Sequence, residues 1–257
     1  MIESPMKILL SPAKSIQTEG VKPEQFSEYP LFTKDSEKLV KKLKKLKPKA
    51  LAKLMDISMD LAQLNFDRFQ QWSIEQDEFW LPAASIFTGE AYKGLNYLDL
   101  STEHKKMAQD RLRILSGLYG ILKPADLIFP YRLEMGTSFP VSAKEKNLYA
   151  FWKDKLTKQL NQELGSNEVI INLASAEYSK AIDFKKITNQ VITPTFKEFK
   201  NGKFSTVMIF AKHARGRMSR YLIENDLKDV EELKLYTVDN YEFSANQSTE
   251  NEWVFVR

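Results

Sequence analysis

Four short runs of this 257-residue chain carry side chains whose types and spacing could do chemistry. The densest is Ala211-Lys212-His213-Ala214-Arg215-Gly216-Arg217-Met218-Ser219-Arg220-Tyr221, where Lys212, Arg215, Arg217 and Arg220 occur with no acid until Glu224. The apolar segment before it reads as a strand, so these cations gather around a helix N-terminus, the end whose partial positive charge repels them. A bound anion such as a phosphate would relieve that repulsion, and Arg suits planar, bidentate phosphate contacts. The alternative is a solvated basic face. A second run, Ile171-Asn172-Leu173-Ala174-Ser175-Ala176-Glu177-Tyr178, is an apolar strand ending in small polar groups and one acid. Ligands of open α/β sheets bind beyond the carboxyl ends of strands. Asn172, Ser175 and Glu177 would point into such a crevice, with Ser11 and Lys14 after the first strand facing the same place. Alternatively, Ser175 caps a following helix.

The third run is Leu115-Ser116-Gly117-Leu118-Tyr119-Gly120-Ile121-Leu122-Lys123-Pro124. Two glycines sit three apart, a helical pattern leads in, and Pro124 can open a new helix. This resembles a helix-hairpin-helix motif, in which Gly lets the backbone approach a phosphate and amides of the second helix meet it. Such contacts position DNA without reading its sequence. The same residues also suit an ordinary turn between two helices. In the fourth run, Pro130-Tyr131-Arg132-Leu133-Glu134-Met135-Gly136, an Arg beside an aromatic could stack on a base or hold a phosphate. An internal Arg132–Glu134 pair is the other reading. The Lys-rich stretch from Lys41 to Lys53 is the least specific feature and reads as a solvated face.

The composition excludes much. With no Cys there is no disulfide-linked partner, no thiolate nucleophile and no Cys-ligated metal. The two histidines, His104 and His213, are far apart, so a His-rich metal site is excluded, while a carboxylate site for magnesium is not; no metal or cofactor is implied. Walker, G-x-G-x-x-G, G-x-S-x-G and H-E-x-x-H patterns are missing. The net charge of +4 is too mild to indicate nucleic acid by itself. No apolar run is long enough to span a membrane. No secretory signal is evident, and a reducing, cytoplasmic setting is expected.

The elements that must position these runs follow from periodicity. Strands are expected at Met6–Leu10, Ala84–Phe87, Val169–Leu173, Val191–Thr193, Phe204–Phe210 and Trp253–Val256. Helices are expected over Asp35–Lys53, divided by Pro48, and over Ser58–Trp72, Glu103–Leu115, Leu148–Leu164 and Lys212–Asn225. Asn201-Gly202 reads as a tight turn. Strands and helices interleave without a linker or an internal repeat. The expected class is α/β (mixed α+β): a single domain, 1–257, with a central mixed sheet, surrounding helices and a helix-hairpin-helix element.

Taken together, Ile8-Leu9-Leu10-Ser11-Pro12-Ala13-Lys14, Leu115–Gly120, Pro130–Gly136, Ile171–Tyr178 and Ala211–Arg220 resemble the YaaA family of bacterial peroxide-stress proteins. The resemblance runs in order from Met6 onward, with residues 1–5 as a short extension before the family's usual start. It implies a cytoplasmic protein that limits peroxide damage, with lower free intracellular iron as the outcome. It also implies binding of double-stranded DNA through a basic cleft and a helix-hairpin-helix. On that reading Gly117, Gly120, Lys123, Lys14, Arg132, Lys212, Arg215, Arg217 and Arg220 contact double-stranded or branched DNA. Ser11, Asn172, Ser175 and Glu177 line the cleft. The rival is an enzyme acting on a nucleotide or nucleic-acid base in that cleft, with Glu177, Asp126 and Glu134 as the carboxylates to consider. An unrelated enzyme with a phosphate-bearing small substrate is a third reading.

Overall fold

A computed structural model describes residues 5–75 and 79–257. The extension expected over residues 1–5 lies, apart from Pro5, outside the described residues. The first strand, β1 (Met6–Leu10), is buried at every position, as a continuous apolar run demands. After β2 (Ser15–Ile16), helix α1 (Thr33–Leu43) buries Leu39, Val40 and Leu43, and Pro48 opens α2 (Pro48–Met55), where a missing N–H costs nothing. Ser58 caps α3 (Met59–Gln71) by accepting the Leu61 N–H. Short pieces follow: β3 (Leu81–Pro82), α4 (Ala83–Ile86), β4 (Phe87–Thr88) and α5 (Glu90–Leu95). Next come α6 (Thr102–Arg111), β5 (Leu112–Ser116), β6 (Gly120–Leu122), β7 (Leu127–Ile128), α7 (Leu148–Glu163), β8 (Val169–Asn172) and α8 (Ala176–Ser179). The chain continues with β9 (Val191–Lys200), β10 (Lys203–Ser205), α9 (Met208–Glu224), β11 (Glu242–Phe243) and β12 (Glu252–Val256).

The main sheet has the order β11-β12-β9-β8-β1-β5-β6, with β10 folded back on β9. Its five central strands, β5, β1, β8, β9 and β12, are parallel. The antiparallel strands β6 and β11 attach to the two ends of this parallel block, and β10 pairs with the far end of β9. The chain begins in the middle at β1, builds β5 and β6 on one side, then crosses to β8 on the other. That reversal of direction lies beside β1, and it opens a crevice outside the carboxyl ends of β1 and β8. One apolar core covers the sheet, including Trp80, Trp152, Tyr236 and Phe255. Among the described residues no helix is long and apolar enough to cross a membrane.

The helix α9 packs on β1, β9 and α5. Its contact with α5 is backbone to backbone. A Cβ on Gly216 would stand 1.8 Å from the Ala91 carbonyl oxygen, and one on Gly94 would stand 2.3 Å from the His213 carbonyl oxygen. Neither position has room for a methyl group without separating the two helices.

Several sequence expectations are corrected. The helix expected over Glu103–Leu115 ends at Arg111, and Leu112–Ser116 is a strand with all five residues buried. A short run buried at every position, here with Arg113 within it, has no readable period, and the sheet claims it. The Leu115–Pro124 run is therefore a β-hairpin, with Ile114 paired to Leu122 and Ser116 to Gly120, and this run is not a helix-hairpin-helix. The strand expected at Ala84–Phe87 is a helical turn through Ile86, followed by the two-residue β4. The strand expected over Phe204–Phe210 stops at Ser205, and α9 starts at Met208, ahead of the expected Lys212.

Gly117 and Gly120 serve packing. Gly120 has φ +74, and its Cβ would lie 2.7 Å from the Trp152 ring; a Cβ on Gly117 would lie 2.2 Å from the Leu133 carbonyl oxygen. The Trp152 indole N–H donates to the Gly117 carbonyl at 2.9 Å in the interior. Gly120→Val should therefore lower unfolding free energy by about 2–4 kcal/mol through overpacking and a forbidden φ. Urea denaturation checks this, and wild-type stability would refute it.

Candidate functional site at the carboxyl ends of the parallel strands

Beyond β1 the chain continues as Ser11-Pro12-Ala13-Lys14, and beyond β8 as Leu173-Ala174-Ser175. Ser11 joins the two. Its Oγ accepts the Ser175 N–H at 2.8 Å and donates to Ser175 Oγ at 3.2 Å. Ser175 occupies the N-cap position of α8 but makes no side-chain cap bond there. Tyr92, from α5, donates to the Ser11 carbonyl at 3.1 Å. Asn172 donates to Thr193 Oγ1 at 3.3 Å, and its own Oδ1 accepts the Ala174 N–H at 3.3 Å. These bonds consume the polar groups expected to line the crevice and hold its two walls together.

The segment from Pro130 to Gly136 closes the crevice from the other side. Glu134 takes two cations at once: Lys14 Nζ at 2.5 Å and an Arg132 terminal nitrogen at 2.9 Å. Arg132 is mostly buried, and its Nε has no hydrogen-bond partner. Glu177 accepts the Gly136 N–H at 3.0 Å, and its carbonyl accepts from Tyr149 at 3.0 Å. Three tyrosines gather here. Burial pushes the Tyr92, Tyr131 and Tyr178 hydroxyls well above their usual range, and at Tyr178 the Glu177 and Glu134 carboxylates add to that. Tyr131 shares a buried 2.6 Å hydrogen bond with Ser116 at the end of β5. What remains open among Pro12, Ala13, Lys14, Arg132, Glu134 and Tyr178 is a recess of about 10 Å³, room for a water-sized group.

The structure thus brings Ser11, Lys14, Arg132, Glu134, Asn172, Ser175 and Glu177 to the carboxyl ends of β1 and β8. Lys123 and Asp126 lie elsewhere. β6 runs antiparallel to β5, so its end at Leu122 stands level with Ile114 and leads back toward the amino ends of the parallel strands. There Asp126 accepts the Lys123 N–H at 2.9 Å and shares a cavity of about 280 Å³ with Glu28, Arg113 and Glu163. Asp126 therefore cannot act together with Glu134 and Glu177.

The cations of α9 divide as well. Arg220 is mostly buried and held by Asp99 at 2.9 Å and Glu224 at 2.7 Å, with further bonds to the Leu95 and Asn96 carbonyls. Arg217 is 3.7 Å from Asp239. His213, which the sequence places among cations, also faces the carboxylates of Glu90 and Asp239, at 3.9 and 4.0 Å. Lys212 is exposed. Arg215 is partly buried, its Nε lacks a hydrogen-bond partner, and burial lowers its pKa. On α1, Lys38 and Lys41 pair with Asp35 and Glu37, as a solvated charged face would.

Sequence reasoning missed Tyr92 and Thr193. Tyr92 follows an unremarkable Gly-Glu-Ala, and nothing local announces that it reaches Ser11. Among the described residues no group of three or more His, Asp or Glu side chains is placed to hold a metal ion.

The sheet and its switch-point crevice define a parallel-core α/β protein whose polar loops converge beyond β1 and β8. A family model described as Peroxide stress protein YaaA matches residues 6–247. The chain is 46% identical over 253 residues to a UPF0246 protein of Flavobacterium psychrophilum, covering 98% of this chain and 100% of the relative. It is 45% identical over 255 residues to a UPF0246 protein of Saccharophagus degradans, covering 98% and 99%. The chain belongs to the YaaA family of peroxide stress proteins.

The Asp126 carboxyl, only 5% exposed, has its pKa raised to about 7, chiefly by burial. The folded state then holds this proton in a range where the unfolded chain has lost it. Stability should fall as pH rises from about 4 to about 7, with a slope of at most about 1.4 kcal/mol per pH unit from this group. Asp126→Asn should flatten that part of the stability profile measured by urea unfolding. An unchanged profile would contradict the assignment.

Proposed function

We propose that this protein serves the peroxide stress response by binding double-stranded or branched DNA in the cytoplasm through sequence-independent phosphate contacts. Bound DNA would be shielded from hydroxyl radicals generated beside it, which limits iron-dependent damage without the protein itself sequestering iron. The observation that carries this reading is the uneven neutralisation of the basic residues. Lys14, Arg132, Arg217 and Arg220 have carboxylate partners within the fold. Lys212 and Arg215 stand in a stretch from Phe199 to Ile223 without a single Asp or Glu. An exposed Lys212 and a partly buried Arg215 with an unbonded Nε, both without a carboxylate partner, are suited to a polyanion, and phosphate contacts of this kind carry no base code.

A second reading is an enzyme acting on a nucleotide or a nucleic-acid base in the crevice. It is favoured by Glu134 and Glu177 flanking Tyr178 at the carboxyl ends of the strands. The pair Lys14–Glu134 covers the recess and would have to open for a base to enter.

Titration of fluorescent duplex and four-way-junction DNA at several salt concentrations tests the first reading. Affinity should fall steeply with salt. Lys212→Ala with Arg215→Ala should reduce the slope of log K against log salt by about one to two units, one for each phosphate that is no longer neutralised. Lys212→Ala alone should leave the melting temperature unchanged, because the side chain is exposed. Affinity that does not vary with salt would overturn the reading. If the double variant binds DNA normally but loses peroxide protection in cells, the crevice reading takes its place, with Glu177→Gln as the decisive variant.

A further inference from the structure

The β9–β10 hairpin and the first turn of α9 carry an apolar patch that the crevice does not use. Phe199, Phe204, Met208, Ile209 and Phe210 are between 42% and 59% exposed. They form two groups, Phe199 with Phe204 and the consecutive Met208–Phe210, bridged by Arg257. Phe199 and Phe204 are cross-strand partners whose rings lie 5.0 Å apart at 54°. The Arg257 carbonyl accepts the Phe199 N–H at 2.7 Å, and the Arg257 guanidinium lies 5.0 Å from the Phe210 ring. Exposed apolar groups scattered singly need no explanation, whereas a patch of this kind marks an interaction surface.

Glu198 is held by Arg257 and Tyr241, so the charge left on the arm is that of its two lysines. Lys200 and Lys203 face each other across the turn Asn201-Gly202 and are both exposed. Like charges directly opposite each other on paired strands repel, and a polyanion between or beside them would relieve the cost. Asn201 at φ 54 and Gly202 at φ 75 make this a two-residue turn of the left-handed kind that matches strand twist. The arm is therefore a narrow, well-defined ribbon, the shape that enters a DNA groove. Strand alternation puts Phe199 and Phe204 on one face and Lys200 and Lys203 on the other. With the aromatic face against base edges, the long Lys stems reach outward to the phosphate ridges. Apolar side chains such as Phe, Ile and Met partly unstack base steps when they enter a groove, and ring faces stack on freed bases.

We infer that the β9–β10 hairpin is a DNA-insertion arm, with Phe199 and Phe204 meeting unstacked bases and Lys200 and Lys203 holding the flanking phosphates. The inference rests on the DNA-binding reading and adds a mode of engagement to it. An anionic bilayer also attracts basic and apolar groups, but there the tip goes deepest, and this tip carries the two lysines ahead of the rings.

The test uses the full chain, a fluorescein-labelled duplex, and a second duplex with 2-aminopurine at a central step. Wild-type protein should bind with strong salt dependence and brighten the 2-aminopurine as the base unstacks. Phe199→Ala with Phe204→Ala should weaken binding about tenfold and abolish the brightening, with an unchanged melting temperature. Lys200→Ala with Lys203→Ala should reduce the salt slope by about two units. If wild-type protein shows no salt-dependent DNA binding, the DNA reading and this arm fall together. If it binds and both double variants match it in affinity, salt slope and brightening, the arm alone is refuted. Binding to phosphatidylserine-containing vesicles that the Phe variant loses, while its DNA binding stays intact, also overturns the arm. So does a wild-type dimer in sedimentation that the Phe variant dissolves without change in DNA affinity. Should the Phe variant melt without cooperativity, the Lys variant decides the matter on its salt slope.

Discussion

The rest of the structure depends on one contact, the backbone-to-backbone approach of α5 and α9 at Gly94 and Gly216. A Cβ at either glycine would meet a carbonyl oxygen at or below 2.3 Å. Because α5 sits this close, its Tyr92 can reach the Ser11 carbonyl at the mouth of the crevice. Because α9 is pinned at the same point, its apolar stripe of Ala211, Ala214, Met218 and Leu222 lies buried. The same contact decides which cations are presented and which are consumed. Arg220 is drawn to the carbonyls of Leu95 and Asn96 that end α5, while Lys212 stays in solvent.

The crevice itself is tightly bonded. Ser11 and Ser175 tie β1 to β8 across the point where the chain reverses direction, and Glu134 binds two cations that would otherwise face each other. Charge-assisted pairs that are partly withheld from water hold their geometry better than exposed ones. Basic residues that look available in a linear sequence are therefore internal fasteners in the fold. The charge left over for a partner is displaced to α9 and to the β9–β10 arm, outside the crevice.

The peroxide-stress family assignment and the mixed α/β class rest on independent features. Several motifs in a constant order over nearly the whole chain carry the first. Interleaved strands and helices carry the second, and the parallel core β5-β1-β8-β9-β12 bears it out. Convergence of Ser11, Lys14, Asn172, Ser175 and Glu177 was legible because each follows or ends a buried strand, and the carboxyl ends of parallel strands necessarily share one side of a sheet.

By itself the sequence determined where the strongly patterned elements lie. β1, α7, β8 and β12 fall where apolar period, turn residues and Ser or Pro punctuation put them, because those signals are local. The absence of thiol chemistry followed from composition alone. Only the tertiary structure decided the state of Leu112–Ser116, since five consecutive buried residues satisfy a helix or a strand equally and sheet pairing with β1 settles the choice. It likewise decided that Gly117 and Gly120 make room for Leu133 and Trp152, that Lys123 and Asp126 stand toward the opposite end of the sheet, and that Arg217 and Arg220 are neutralised. Most of these turn on a partner outside the motif, such as Trp152 for Gly120 and Asp99 for Arg220, and no spacing within a motif encodes a contact made beyond it.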